Sequence, residues 1–138
     1  MIEKKSLDHK EAQTIIAAIQ MELAKRKRAA VIAVSDNQGE LIALLRTDWA
    51  PLPSIVIATN KAWTAAREAK PTYEIGQAAR DLKTGFDMAY YGDGRYIGWG
   101  GGIPVMMEGR VIGAIAVSGL TEQEDMELAK IGLSSVNK

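Results

Sequence analysis

The segment AAVIAVSDNQGELIALLR, residues 29–46, constrains the fold more than any other part of the chain. Two apolar runs flank Asp36-Asn37-Gln38-Gly39, and Gly39 can adopt the positive φ that a tight turn requires. The segment therefore predicts a β-hairpin. Residues 31–34 show no polar alternation, so we expect both faces of this strand to be covered.

The rest of the chain predicts helices around such a sheet. Asp8 and Glu11 form a capping box that starts a first helix, and Ser54 can cap a second helix that ends before Pro71. Thr72 can cap a third, shorter helix, and Thr121 opens a last one whose inward residues are predicted to be Met126, Ala129, Leu133 and Val136. The stretch 82–96 lacks periodicity and predicts a loop.

Three further strands are predicted, at about 95–99, 103–108 and 110–118, with a second hairpin at Gly109. In the last strand, Val111, Ile115 and Val117 are assigned to one face and Ile112, Ala114 and Ala116 to the other. The predicted order is α-β-β-α-α-β-β-β-α. We expect an α/β (α+β) fold with a mainly antiparallel five-stranded sheet and helices on both faces, in a single domain over residues 1–138.

Composition excludes several classes of function. Lys plus Arg equals Asp plus Glu, at 17 each, which gives no support for a nucleic-acid partner. The absence of cysteine excludes disulfides, thiol nucleophiles and thiolate metal sites, and one histidine disfavours a catalytic triad. No apolar run approaches the roughly 20 residues that span a bilayer, and the N-terminus lacks a secretory signal. These features predict a cytoplasmic protein without a membrane partner.

The glycine-rich segment GWGGGIPV, residues 98–105, has two interpretations. Its glycine amides can form an anion-binding nest, or the glycines can allow backbone to pass where no side chain fits. It is neither a dinucleotide fingerprint nor a phosphate loop, because a strand and not a helix follows it.

Charged and metal-binding candidates are few. Arg46 ends an apolar strand, and Lys61 and Arg67 lie on the second helix. A buried Lys61 needs an anionic ligand or a carboxylate, for which Asp36 and Asp48 are candidates.

Other side chains could contact a ligand or a metal. His9, at a helix N-terminus, is a candidate metal ligand or an ordinary surface residue. The Met106–Met107 pair is either core filler or a source of haem ligands. Trp49, Trp63 and Trp99 either line an apolar pocket or pack in the core.

The spacing of several motifs resembles the GlcG/HbpS family of small haem-binding-like proteins, which also forms the C-terminal domain of PduO. These motifs are LDHKEA, SDNQGELIALLR, A-P-L-P-S, IATNKAWTAA, GGIPVMMEGRVIGAIAVSG and the T-x-x-x-D of the last helix. The resemblance implies a profilin-like fold, homo-oligomers, and binding or sensing of haem or a related tetrapyrrole or corrinoid.

The resemblance also places Arg46 and Lys61 on matching family positions, and Gly101 and Gly102 in the family's G-G-x-P motif. We therefore expect a non-enzymatic binding protein, with Arg46, Lys61, Arg67, Gly101 and Gly102 beside a tetrapyrrole or small anionic ligand. Two alternatives stay open: an accessory oligomeric protein of a metabolic operon without a small ligand, and an enzyme of unknown reaction.

Overall fold

A computed structural model describes residues 1–136 of the chain. The helices and strands follow in the order α1 (His9–Arg26), β1 (Val31–Ser35), β2 (Leu41–Arg46), α2 (Ser54–Glu68), α3 (Thr72–Ala79), β3 (Gly102–Met107), β4 (Arg110–Ser118) and α4 (Glu122–Val136). Two single 3-10 turns, Met88–Tyr90 and Gly92–Gly94, lie between α3 and β3. The α+β class is confirmed.

The sheet has four strands within the described residues, in the order β2-β1-β4-β3, and every neighbouring pair is antiparallel. Both predicted hairpins are present, but the predicted five-stranded sheet is wrong. Residues 95–99 form no strand because their polar groups bind α2 instead of a neighbouring strand. The Ile97 amide donates to Thr64 Oγ1 at 3.1 Å, and the Tyr96 hydroxyl donates to Glu68 at 2.8 Å.

Helices cover both faces of the sheet, as the apolar strands predict. Helices α1 and α4 cover one face through a core of large aliphatic residues, among them Ile19, Ile32 and Ile115. Helix α2 covers the other face through alanines, including Ala58 and Ala62, which pack on Ala33, Ala114 and Ala116 of the strands. Small side chains on both sides allow α2 to approach the sheet closely.

A β-bulge in β4 alters the predicted faces of that strand. Consecutive residues Val105 and Met106 of β3 pair with Gly113 and Val111, so Ile112 has no partner in β3. The extra residue reverses the alternation. Ile112 therefore joins the α1/α4 core and Val111 lies on the α2 side, opposite to the simple period-2 assignment.

Local signals located the helix starts to within one residue. The Asp8–Glu11 capping box of α1 is confirmed. Ser54 and Thr72 are the first residues of α2 and α3 and not their caps, because prolines precede both and occupy the cap positions. The buried residues of α4 are Asp125, Leu128, Ala129 and Gly132. Of the predicted inward residues, Ala129 is buried and Leu133 and Val136 are partly buried against the core, whereas Met126 is not part of it.

Candidate functional site

Lys61 is buried in the middle of the molecule, at 2% exposure, on the face of α2 that packs against the sheet. Its Nζ donates to the carbonyl oxygen of Val117 at 2.9 Å and to Oδ2 of Asp125 at 3.1 Å. The predicted need for a carboxylate is met, but the partner is neither Asp36 nor Asp48. Asp36 follows β1 and Asp48 follows β2, at opposite ends of the first hairpin, whereas Asp125 lies in the first turns of α4.

The start of α4 determines where Asp125 lies. The Glu124 amide donates to Thr121 Oγ1 at 3.2 Å, which begins the helix, and the Leu120 amide donates to Asp125 Oδ1 at 3.2 Å. Burial lowers the pKa of Lys61, while Asp125 opposes that change. Burial raises the pKa of Asp125, while Lys61 opposes that change. Each charge therefore offsets part of the cost of burying the other.

Gly101 lies against this ion pair. Its φ is +124°, and a Cβ there would lie 2.6 Å from the Val117 carbonyl oxygen and 2.8 Å from Lys61 Nζ. A Cβ on Gly102 would lie 2.7 Å from the carbonyl oxygen of Lys61. Both glycines are therefore needed for close approach of the backbone to α2, as the second interpretation of the glycine segment predicts.

The amides of the glycine segment bind protein acceptors. Gly100 N donates to Glu122 Oε2 at 2.8 Å, and Gly102 N donates to Thr72 Oγ1 at 2.9 Å. These two amides do not form an open anion nest.

A cleft lies beside the ion pair, and we call it the Lys61 cleft. Its volume is about 410 Å³, and it opens between the start of α2, the end of β4 and the start of α4. Its lining comprises Ser54, Ile57, Lys61, Trp99, Gly100, Ser118, Gly119, Leu120, Glu122 and Asp125. Sequence reasoning missed Glu122 and Asp125 as site residues. Asp125 shares the buried face of α4 with Leu128 and Ala129, and an acidic residue at such spacing was the available signal.

The other two predicted cations do not join Lys61. Arg67 lies at the turn end of β2, where its Nε donates to the Gln38 carbonyl oxygen at 3.1 Å and its Nη2 lies 3.5 Å from Glu40. Arg46 ends the same strand and is exposed. The two arginines therefore lie near opposite ends of β2.

The tryptophans do not line one pocket. Trp63 is 6% exposed, with the guanidinium carbons of Arg67 and Arg95 each 4.4 Å from its ring centroid. Trp99 is 58% exposed and lines the Lys61 cleft. Trp49 is 96% exposed beside Arg46 and Asp48.

A second cleft, of about 570 Å³, lies between the N-terminal segment and the β3–β4 hairpin, and we call it the N-terminal cleft. It is lined by Ile2, Glu3, Lys4, Lys5, Asn37, Met107, Glu108, Arg110, Val111 and Ile112. The Leu7 amide donates to the Ile112 carbonyl oxygen at 2.7 Å, and α1 begins two residues later at His9, which is exposed. Within residues 1–136, no three His, Asp or Glu side chains cluster as a metal site.

The fold and the motifs define a family. The model of the family described as haem degrading protein HbpS-like matches residues 7–134, and this chain belongs to that family. The chain is 35% identical over 112 residues to protein GlcG of Escherichia coli strain K12, with 81% of each chain covered. It is 26% identical over 132 residues to the corrinoid adenosyltransferase PduO of Citrobacter freundii, covering 96% of this chain but 39% of PduO.

Solved structures share the fold almost end to end. Protein ORFY of Klebsiella pneumoniae superimposes with a TM-score of 0.93 at 31% identity, covering 98% of this chain and 93% of ORFY. HbpS superimposes with a TM-score of 0.88 at 25% identity, covering 99% and 94%. The PduOC–haem complex superimposes with a TM-score of 0.89 at 23% identity, covering 96% of both chains. Within the described residues, no helix is both long and apolar enough to cross a membrane.

Proposed function

We propose that this chain is a binding or sensing protein for haem or a related tetrapyrrole or corrinoid, and that the N-terminal cleft holds the ligand. Membership of the HbpS-like family and the shared fold of the PduOC–haem complex support a tetrapyrrole as the ligand class. The residues that line the N-terminal cleft are the observation that supports this location of the ligand.

The lining of the N-terminal cleft fits a tetrapyrrole. Ile2, Val111 and Ile112 supply apolar surface for a flat ring. Lys4, Lys5 and Arg110 supply cations for its carboxylates, and they exceed the two acidic residues of the lining, Glu3 and Glu108. Lys5 lies 3.9 Å from Glu108 at the surface, where such a pair is weak and can exchange partners.

The Lys61 cleft fits a tetrapyrrole less well. It is smaller, and Glu122 and Asp125 outnumber its one cation, so the carboxylates of a porphyrin would meet like charge. The sequence-based placement of a tetrapyrrole beside Lys61, Arg46, Arg67, Gly101 and Gly102 is therefore not the one we propose.

Two side chains are candidates to hold the iron of haem. His9 is the first candidate because it carries the only imidazole in the sequence and is exposed at the start of α1, two residues after Leu7, although it is not among the residues that line the cleft. Met107 is the second candidate because its thioether belongs to the lining of the cleft. Haem, when bound, supplies an iron centre capable of redox and oxygen chemistry.

Titration of the full chain with haemin tests this proposal. We expect a Soret band that shifts and saturates at a defined stoichiometry. His9→Ala and Met107→Leu are titrated in the same way. The variant that changes the absorption spectrum of the bound haem identifies the iron ligand. Haemin spectra that change without saturation, as for non-specific adsorption, would contradict specific binding.

A further inference from the structure

We propose that the Lys61 cleft is a second binding site, for a small organic cation that carries an ammonium group and a hydroxyl group. The two clefts lie at opposite ends of the nine-residue strand β4, since Arg110 lines one and Ser118 lines the other. At about 3.3 Å per residue, roughly 25 Å separates them. The second site is therefore independent of tetrapyrrole binding.

The charge of the lining favours a cation. Lys61 is the one cation among the lining residues, and Asp125 already pairs with it at 3.1 Å. Glu122 is half-buried, and no Lys, Arg or His nitrogen within residues 1–136 approaches its carboxylate to 4.0 Å. Its Oε2 accepts only the neutral amide of Gly100. The Lys61 ammonium group also feels the charge of Glu122, so two carboxylates share one cation and an added ammonium group would balance the excess negative charge.

The hydroxyl groups of two serines support a ligand with polar groups. Ser54 and Ser118 line the cleft and are each 4% exposed. Neither hydroxyl has a hydrogen-bond partner within residues 1–136, and neither oxygen is itself buried, since Trp63 Nε1 is the one buried side-chain nitrogen or oxygen without a partner there. Because both oxygens are open to the cleft, they are available to a ligand that donates and accepts hydrogen bonds.

Trp99 provides the remaining wall. Its indole is 58% exposed and lines the cleft in the loop that Glu122 fixes through Gly100. An indole and a half-buried carboxylate in the lining of one cleft are a favourable environment for an organic cation. The volume of about 410 Å³ restricts the ligand to a small molecule.

Three small probes that differ mainly in charge test the proposal: 2-aminoethanol, ethylene glycol and glycolate. At neutral pH they are a cation, a neutral diol and an anion, and all carry a hydroxyl. The readout is the indole N–H resonance of Trp99 in the NMR spectrum, assigned with Trp99→Phe. We expect saturable shifts with 2-aminoethanol and at least tenfold weaker binding of the other two.

Two matched variants locate the site. Glu122→Gln keeps an acceptor for the Gly100 amide but removes the charge, so we expect at least tenfold weaker binding of 2-aminoethanol with unchanged melting. Glu124→Gln is the control, because Glu124 pairs with Arg28 at 2.8 Å and does not line the cleft. Stronger binding of glycolate, equal binding of ethylene glycol, no saturable shift, or unchanged binding by Glu122→Gln would overturn the proposal. The haemin titration is independent of each of these results.

Discussion

The Nζ atom of Lys61 lies 3.1 Å from Oδ2 of Asp125, although 64 residues separate them in the chain. This contact joins α2 to α4 near the end of β4, and Lys61 Nζ also donates to the Val117 carbonyl oxygen at 2.9 Å. Because Gly101 lies against the same ammonium group, one ion pair connects both helices, β4 and the glycine segment.

Removal of one partner of this pair should destabilise the fold. Lys61→Met leaves the Asp125 carboxylate buried without a counter-charge, and we expect the free energy of unfolding to fall by about 3–5 kcal/mol. The double variant Lys61→Met/Asp125→Leu removes both charges, and we expect it to regain most of that loss. Urea unfolding gives the free energy of unfolding of the wild type, the single variant and the double variant. A double variant less stable than Lys61→Met would show that the pair is not the cause.

Gly101→Ala should destabilise the protein more than alanine at another glycine with positive φ. At Gly101 the cost combines a φ of +124° with a Cβ 2.6 Å from the Val117 carbonyl oxygen. Gly109 has a φ of +76° but nothing within 4 Å of the added Cβ, so Gly109→Ala is the matched control. We expect about 1 kcal/mol for the control and more for Gly101→Ala. Equal melting temperatures of Gly101→Ala and Gly109→Ala would contradict a steric cost of the Cβ at Gly101.

Tyr96 should make the protein sensitive to alkali. Burial, aided by the hydrogen bond to Glu68, raises its pKa from 10.0 to about 12. Between these values the folded protein retains a proton that the unfolded chain loses, so stability falls as the pH rises through this range. Tyr96→Phe should show a smaller loss of stability over the same interval. Denaturant unfolding at several alkaline pH values compares the two proteins, and identical pH profiles would refute this origin.

A homo-oligomer remains a prediction. Trp49, Leu52 and Val56 are 96%, 65% and 62% exposed, in the loop that follows the edge strand β2 and at the start of α2. Burial of these side chains against a second copy would remove a substantial apolar area from water. We expect sedimentation at micromolar concentration to give a species larger than 14.9 kDa, and Trp49→Glu to reduce it. A wild-type monomer would contradict the prediction.

Local patterns predicted what local interactions determine. The Asp8 capping box, the hairpin at Gly39 and the hairpin at Gly109 each depend on a few adjacent residues, and each is present. Covered faces of β1 were predictable because apolar residues occupy consecutive positions. Resemblance to a family supplied the fold type.

Features that depend on distant contacts were not predicted. The partner of Lys61 is set by the packing of α4, which spacing within α2 does not reveal. The bulge at Ile112 breaks the period-2 rule, and the carbonyl oxygen of this extra residue accepts a hydrogen bond from the distant Leu7 amide. Residues 95–99 have strand-like composition, but side chains of α2 take their hydrogen bonds. The N-terminal cleft was missed because segments far apart in sequence form it.

The haemin affinities of Arg110→Glu and Lys61→Met/Asp125→Leu, measured side by side with the wild-type chain, test the location of the tetrapyrrole most directly. Arg110 lines the N-terminal cleft, so reversal of its charge should weaken haemin binding at least tenfold, or about 1.4 kcal/mol. The double variant alters only the other cleft and should bind haemin like the wild type. Weakened binding by the double variant with unchanged binding by Arg110→Glu would place the ligand beside Lys61 and contradict the account.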